Sequence, residues 1–366
     1  MGKLWQRQAG QDGKIKLVEL KQGALTITSP TVVFLTGFST INSTGGYIAG
    51  AIKRLEDMLS EGHDLKDKVK LVGWSHSGIR NLFNMAAYNC FPGLFQSRNA
   101  KKLAREVFLP LVAKDGASVD KKGIVTGERH SLEDVKEKLK NLTFFAYSAG
   151  TVLAQETYNA TSTMMHKLGY SKEETKELLH DVALISVGNM SRPTKEGNRF
   201  STLYMAATND RLIKYKTKFW PSLKEMFWRR VNKLTIHKVS ETSLYLTTPV
   251  QADLYEMKKQ KDGSEQLKPI DKLYPKWFPI ASKHELPHYI TGAEHNNDFA
   301  KIARYSLLNA IKRESRPDLY KMLEPTSGLF DTSEKATTPS ENDTKYQGLI
   351  KEALNRKKPD NKPTTL

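Results

Sequence analysis

The run LTFFAY, at residues 142 to 147, contains five apolar or aromatic side chains and one threonine, without polar alternation. A strand with one solvated face alternates polar and apolar residues, whereas a strand covered on both faces is continuously apolar. The residues that follow, from Thr151 to about Leu168, have the spacing of a helix. This junction predicts an interior strand of a parallel sheet that leads directly into a helix.

Apolar strand-like runs alternate with amphipathic helical runs through most of the chain. The pattern predicts strands at 31–38, 69–74, 181–188 and 200–207. It predicts helices at 45–62, from the strand at 69–74 through Ala87, at about 99–112, at SLEDVKEKLKN with Ser131 at its start, and at 171–180. Such repeated βαβ units favour an α/β fold with a doubly wound, mostly parallel sheet.

The composition is that of a folded protein without disulfides. The chain has 366 residues, of which 39% are hydrophobic, and can bury a core in one large domain or two ordinary ones. Its single cysteine, Cys90, has no partner for an internal bridge and no spaced Cys or His residues for a zinc site. We therefore expect no metal and no cofactor. The absence of an apolar run of about 20 residues and of a signal peptide predicts a cytoplasmic protein.

Two serines follow predicted strands in a setting that suits a nucleophile. A serine on a sharp strand-to-helix turn needs small residues two positions before and two positions after it, because larger side chains collide in that turn. Ser148 has Ala146 and Gly150 at these positions. Ser75 has Gly73 and Ser77. Local sequence does not separate the two candidates.

From Thr31 to about Ile311 the pattern resembles the α/β-hydrolase superfamily. TVVFLTGF resembles the early strand of that family that ends in the oxyanion loop, with Thr36 and Gly37 where the family often has His-Gly. VKLVGW then resembles the intervening strand, and LTFFAYSAG the nucleophile strand. The resemblance implies Ser148 as the nucleophile and puts Ser75 one strand too early, although LVGWSHSG is itself an esterase-like string and Ser75 stays an alternative.

The family order of serine, acid and histidine implies the rest of a triad. Asp210, in LYMAATNDRLI, follows a late strand and resembles the family acid; an aspartate that merely caps a turn is the other reading. His295 stands in a Gly-x-x-His arrangement with Gly292 and resembles the family base. His288 and His284 are fallbacks. The oxyanion would be held by the backbone N–H groups of Ala149 and Phe38.

A basic segment follows Asp210. The formal net charge of the chain is +17, and residues 211–238 hold nine Lys or Arg residues against the single acid Glu225. Its apolar residues recur at three- and four-residue steps, so a helix would have a basic face that includes Arg229, Arg230 and Lys233. Such a helix suits an anionic membrane surface or a lid, or else packs as a plain cap helix on the core. Without any nucleic-acid-binding motif, we expect no nucleic acid partner.

These patterns predict one α/β-hydrolase-like domain over residues 1–324, with insertions at about 91–130 and 213–286, the latter a cap or lid before the histidine. Residues 325–366 are rich in Pro, Ser, Thr and Lys and are expected to be a disordered tail with one short helix.

The resemblance implies a serine hydrolase of esterase or lipase type, acting on a small-molecule or lipid ester. One alternative is a catalytically silent α/β-hydrolase-fold protein that binds an anionic membrane or a protein partner. Another is a peptidase or thioesterase with the same triad, because pocket shape and not the triad sets the substrate.

Overall fold

A computed structural model describes residues 2–9, 15–20, 25–37, 46–60, 68–75, 95–120, 123–191, 199–210, 212–213, 234–250, 255–259, 265–269, 286–291 and 297–324. Thirteen strands lie in this part of the chain. They are β1 Lys3–Ala9, β2 Ile15–Glu19, β3 Thr31–Leu35, β4 Lys70–Ser75, β5 Ser118–Val119, β6 Val125–Thr126, β7 Leu142–Tyr147, β8 Ala183–Val187, β9 Ser201–Ala207, β10 Thr235–Ser240, β11 Ser243–Thr248, β12 Tyr255–Lys259 and β13 Glu265–Pro269.

The helices of the described residues alternate with the strands of the sheet over most of the chain. They are α1 Gly46–Ser60, α2 Arg98–Leu103, a π-helical segment Ala104–Phe108, α3 Leu109–Val112, α4 Leu132–Lys140, α5 Ala149–Lys167, α6 Lys172–Leu179, α7 Leu286–Ile290, α8 Asp298–Lys312 and a 3-10 turn Lys321–Leu323. None of these described helices combines the length and apolar character that a bilayer crossing requires.

Nine of the strands form one sheet in the order β10-β11-β9-β8-β7-β3-β4-β1-β2. The six strands from β11 to β4 are parallel. The outer strands β10, β1 and β2 pair in antiparallel fashion. The nucleophile candidate Ser148 thus follows the central strand β7.

Both faces of the sheet are covered. Along β3, Val32 and Phe34 join the cluster that contains α1 and α8, whereas Val33 and Leu35 join the cluster that contains α2 to α6. Each face receives alternate side chains because successive residues of a strand point to opposite sides. All five residues of β3 and all six of β7 are buried, which explains their continuous apolar sequence.

The prediction of an α/β fold with a large, mostly parallel sheet is confirmed, and most predicted elements agree within a few residues. Sequence signals also located several helix starts. Ser131 accepts a hydrogen bond from the backbone N–H of Asp134 at 3.2 Å, and Ser171 forms a capping box with Glu174 at the start of α6. Such caps satisfy N–H groups that have no partner within the helix.

The segment predicted as a cap differs from the expectation. Within 213–286, β11 pairs in parallel with β9, and β10 pairs with β11, so both strands extend the central sheet. Parallel neighbours need a crossover connection of about a dozen residues or more. The stretch between β9 and β11 is long enough for such a connection, and its residues 211 and 214–233 lie outside the described ranges. The hairpin of β1 and β2 at the opposite edge also had no counterpart in the sequence interpretation.

The C-terminal helix is fastened to the amino-terminal edge of the sheet by Arg313. Its guanidinium donates to the carbonyls of Leu142 at 2.6 Å and Asp181 at 3.2 Å, and to the Thr143 hydroxyl at 2.8 Å. A further hydrogen bond reaches the carbonyl of Ala310. This clamp lies at the edge remote from Ser148 and serves stability.

Several predicted features fall on residues outside the described ranges: the helix through Ala87, the basic face of Arg229, Arg230 and Lys233, and the tail at 325–366.

Candidate active site

Polar residues from distant parts of the sequence meet at the carboxyl edge of the sheet. Because β3, β7, β8 and β9 are parallel, the residues that follow them lie at the same edge. These residues are Gly37, Ser148, Asn189 and Asp210. Such an edge is the usual place for a site in an open α/β sheet.

Ser148 has a strained backbone. With φ 53° and ψ −122°, it is the one non-glycine residue with a positive φ in the described part of the chain. Its N–H donates to the carbonyl of Val187 on β8 at 3.1 Å, which holds the turn against the next strand. A conformation of this kind costs on the order of 1–3 kcal/mol and is typical of functional turns.

Two glycines allow the turn to pack tightly. A Cβ on Gly150 would lie 2.7 Å from the carbonyl oxygen of Thr36 and closer still to that of Leu35. A Cβ on Gly37 would lie 2.8 Å from the Cβ of Ser148. The loop after β3 therefore lies directly against Ser148 and the first turn of α5. The residue that precedes the loop, Thr36, donates its hydroxyl to the carbonyl of Trp74 at 3.1 Å.

Thr151 connects the serine turn to the loop after β8. Its hydroxyl donates to the carbonyl of Ser148 at 2.6 Å and accepts the backbone N–H of Met190 at 3.0 Å. Thr151 is fully buried. A buried hydroxyl that both donates and accepts fixes two loops at once, so it restricts the strained turn to one arrangement.

Ser75 has a different environment. It ends β4 in a regular antiparallel pairing with Lys3, and its φ is not positive. Its hydroxyl accepts the indole N–H of Trp5 at 2.9 Å and donates to the carbonyl of Lys3 at 3.4 Å. Ser75 thus has the backbone of an ordinary strand residue, and its hydroxyl binds the edge strand β1.

Asp210 is a buried carboxylate held by three donors. Its Oδ1 accepts the backbone N–H groups of Leu212 at 2.8 Å and Ile213 at 3.2 Å. Its Oδ2 accepts the hydroxyl of Tyr289. The side chain is fully buried. Burial raises the pKa of nearby Tyr245, and the charge of Asp210 raises it further.

One helix near the predicted base in sequence contacts this acid. His295 itself is outside the described residues, as is His284. The preceding helix α7 contributes Tyr289 to Asp210, and Asn297 follows the segment as the cap of α8. The Asn297 amide donates to the carbonyls of His288 at 3.0 Å and Thr291 at 2.8 Å. The two ends of the segment 292–296 are therefore tied together.

Two other predicted site residues, His288 and Ala149, lie in described helices. The fallback His288 is buried on α7, next to Tyr289. Ala149 begins α5, so its N–H belongs to the first turn and has no intrahelical acceptor. The second predicted oxyanion donor, Phe38, lies outside the described residues. Ser148 itself is buried, with 3% of its surface exposed.

A second buried carboxyl group lies farther along α5. Glu156 is buried, and burial raises its pKa to about 7, while hydrogen bonds from the hydroxyl and backbone N–H of Ser97 act in the opposite direction. Ser97 caps α2 by accepting the N–H of Ala100 at 3.2 Å. Glu156 thus connects α5 to the start of α2. Over the ranges that the structure describes, no group of three or more His, Cys, Asp or Glu residues is arranged to hold a metal ion.

Sequence reasoning missed the supporting residues Tyr289, Asn297 and Thr151. Tyr289 and Asp210 are 79 positions apart, and no local pattern marks such a pair. Asn297 offered a signal, because an asparagine before an amphipathic helix is a favoured cap. Neither a scan of protein-family models nor a search of curated proteins finds a match for this chain.

Proposed function

We propose that this chain is a serine hydrolase of α/β-hydrolase type that cleaves carboxylic esters, with Ser148 as nucleophile, His295 as base and Asp210 as the acid that orients it. The observation that carries the proposal is the strained turn at Ser148, which lies between a buried strand and a helix and at the same sheet edge as buried Asp210. Strain of this kind is characteristic of a nucleophile elbow.

The spacing of the strands supports the triad. One strand, β8, lies between the strands that carry Ser148 and Asp210, so these strands are roughly 10 Å apart. An imidazole that accepts a proton from a serine and donates to a carboxylate fits a gap of this size. Before His295 in the sequence, Tyr289 of α7 contacts Asp210. After His295, Asn297 donates a hydrogen bond back to the carbonyl of Thr291.

The first half of the reaction forms an acyl-enzyme. Ser148 Oγ attacks the ester carbonyl carbon while His295 takes the hydroxyl proton. The N–H groups of Ala149 and Phe38 stabilise the resulting oxyanion. When the C–O bond to the leaving group breaks, His295 gives its proton to the departing alcohol, and the acyl group remains on Ser148.

The second half releases the acid. His295 removes a proton from water, the hydroxide attacks the acyl carbon, and the bond to Ser148 breaks as the serine regains the proton. In both halves Asp210 holds the imidazole in one tautomer and stabilises the imidazolium. A fully buried acid does this well because water does not screen its charge.

The proposed substrate class extends to lipid esters. This part rests on the sequence of residues 211–238, where basic and aromatic residues follow the acid directly. A basic amphipathic segment beside the acid would bring the site to an anionic membrane.

Hydrolysis of a panel of substrates tests the function. Short- and long-chain p-nitrophenyl esters, a matched acyl thioester and a peptide amide should be compared on wild type, Ser148→Ala and Asp210→Asn. We expect ester cleavage that falls to background in Ser148→Ala and by roughly 10³- to 10⁴-fold in Asp210→Asn. Preference for the thioester or amide would favour the thioesterase or peptidase alternatives. Absence of all turnover would favour a silent fold that binds a partner.

A further inference from the structure

We propose that Tyr289 is a positioning residue for the catalytic acid: its hydroxyl fixes the direction and charge state of Asp210, and through it the base. This inference rests on the proposed function. It assigns a role to a residue that the reaction described above does not use.

The hydrogen bond between these residues lies in a dry environment. The Tyr289 hydroxyl donates to Asp210 Oδ2, and both residues are fully buried. A hydrogen bond to an ionised group is stronger than one between neutral groups, and it is stronger still where water is absent. The Tyr289 hydroxyl is therefore a strong contact for Asp210.

Two neighbouring rings fix the orientation of Tyr289. Phe299 packs edge-on against it, with ring centroids 4.8 Å apart and an interplanar angle of 79°. Tyr147 packs at a tilt, with centroids 6.1 Å apart. Tyr147 directly precedes Ser148, and Phe299 lies on α8. The Tyr289 side chain therefore contacts the end of the nucleophile strand, the acid and the helix that follows His295.

The three donors contact both oxygens of the Asp210 carboxylate. The N–H groups of Leu212 and Ile213 hold Oδ1, and Tyr289 holds Oδ2. The proposed imidazole N–H would be a further donor to this carboxylate, which has room for about four hydrogen bonds in all. Two backbone donors on one oxygen allow the carboxylate to turn about them, whereas a third donor on the other oxygen prevents this rotation.

Removal of the Tyr289 hydroxyl should shift the pH dependence of the reaction in a predictable direction. A buried carboxylate that loses a donor becomes more basic. It then binds a proton at higher pH itself, or holds the protonated imidazole more tightly. Both effects lower the fraction of enzyme in which the histidine is unprotonated and the aspartate ionised. The acid limb of the pH–rate profile therefore moves to higher pH. A purely structural role for Tyr289 would lower the amount of folded protein without moving this limb.

The test uses a fluorophosphonate probe, which reacts with an activated serine without any assumption about substrate. Second-order labelling rates across roughly pH 5 to 9 cover the titration of a histidine base. They should be measured on wild type, Tyr289→Phe and the control Tyr170→Phe. Tyr170 is also buried, and its hydroxyl donates to the carbonyls of Val112 at 2.7 Å and His130 at 3.0 Å, remote from the site.

For Tyr289→Phe we expect a loss in labelling rate of roughly 10- to 100-fold, the size of one hydrogen bond to a charged group. The acid limb should move up by about one pH unit, a tenfold change in proton affinity. Tyr170→Phe should label as wild type does at each pH. An acid limb that stays in place in Tyr289→Phe, or moves equally in Tyr170→Phe, would overturn the positioning role.

A double-mutant cycle adds a second readout. If Tyr289 acts through the acid, Tyr289→Phe should cost little further rate in an Asp210→Asn background, whereas additive losses would contradict the inference. The two proposals fail in distinguishable ways. If wild type is not labelled, or is labelled at a residue other than Ser148, both are wrong. If Ser148 is labelled but the limb does not move, only the role of Tyr289 is wrong.

Discussion

Gly150 lies against the carbonyl of Leu35 so closely that no side chain fits between them. This contact joins the first turn of α5 to the end of β3, where the loop begins that would supply part of the proposed oxyanion hole. The residue two positions after Ser148 must therefore be a glycine, because any side chain there would collide with the backbone of β3.

Gly150→Ala should therefore impair both folding and activity. The added Cβ would lie 2.7 Å from the carbonyl oxygen of Thr36, so the loop must shift, at a cost of about 1–3 kcal/mol for overpacking. Urea denaturation and fluorophosphonate labelling measure the two effects. Gly50→Ala is a matched control, because a Cβ at this helical position meets nothing within 4 Å. It should stabilise the protein by about 1 kcal/mol, and equal behaviour of the two variants would contradict the contact.

Glu156 should make the protein less stable as pH rises. Burial raises the pKa of Glu156 to about 7 in the folded state, above the ordinary value of 4.5. The native state therefore binds more protons between these values, and stability present below the lower value is lost as pH rises through about 7. Glu156→Gln keeps an acceptor for Ser97 and removes the charge. At pH values above this window it should be more stable than wild type, by on the order of 3 kcal/mol.

Urea midpoints measured across this range test that prediction, with Glu137→Gln as control because the Glu137 side chain is 75% exposed. The control should keep the wild-type slope of stability against pH. A Glu156→Gln variant with the same slope would show that the carboxyl group does not titrate in the folded state as described.

Loss of the Arg313 clamp should destabilise the fold and leave the chemistry intact. Arg313→Met removes the donors to the carbonyls of Leu142 and Asp181, and unpartnered buried carbonyls cost about 1–3 kcal/mol each. Lys53→Met is the control, since Lys53 forms an exposed ion pair with Asp57 worth about 0.5 kcal/mol at most. Comparable urea midpoints for the two variants would rule out the clamp. The labelling rate of the folded fraction should be unchanged.

The basic segment should govern binding to anionic vesicles. Replacing Arg229, Arg230 and Lys233 by Gln should weaken binding to phosphatidylserine-containing vesicles by roughly 100-fold, at about 1 kcal/mol for each charge near the surface. Co-sedimentation measures this change. The control replaces the same number of exposed lysines elsewhere, Lys53, Lys172 and Lys176. Equal losses in both triple variants would indicate an effect of net charge alone, and unchanged binding would exclude the segment as a membrane contact.

Features of this fold could be predicted from the sequence where they depend on residues that are close together in the chain. The strand LTFFAY, the helix cap at Ser131 and the helix at 171–180 depend on a few neighbouring residues, and they were predicted correctly. The sheet role of β10 and β11 was missed, because the letters SLYLTT do not reveal whether a strand joins the central sheet or a cap. Membership of the sheet is set by the strand's partner in β9, more than thirty residues earlier in the chain.

The two candidate serines show the same limit. Ser75 and Ser148 both have small neighbours at the positions that a sharp turn requires. They differ in the backbone dihedral angle φ, which is positive only at Ser148. Ser75 is paired with Lys3 of the neighbouring strand, whereas Ser148 leads directly into α5. The contact between Tyr289 and Asp210 is likewise set by tertiary packing, so no local pattern predicts it.

The central claim is that Ser148 is the reactive nucleophile, and the position of a covalent adduct tests it most directly. After fluorophosphonate labelling and trypsin digestion, Ser148 lies in the peptide NLTFFAYSAGTVLAQETYNATSTMMHK and Ser75 in LVGWSHSGIR. Electron-transfer fragmentation of the labelled peptide identifies the modified side chain. We predict a single phosphonyl group on Ser148. An adduct on Ser75, or no adduct on folded wild-type protein, would contradict the account.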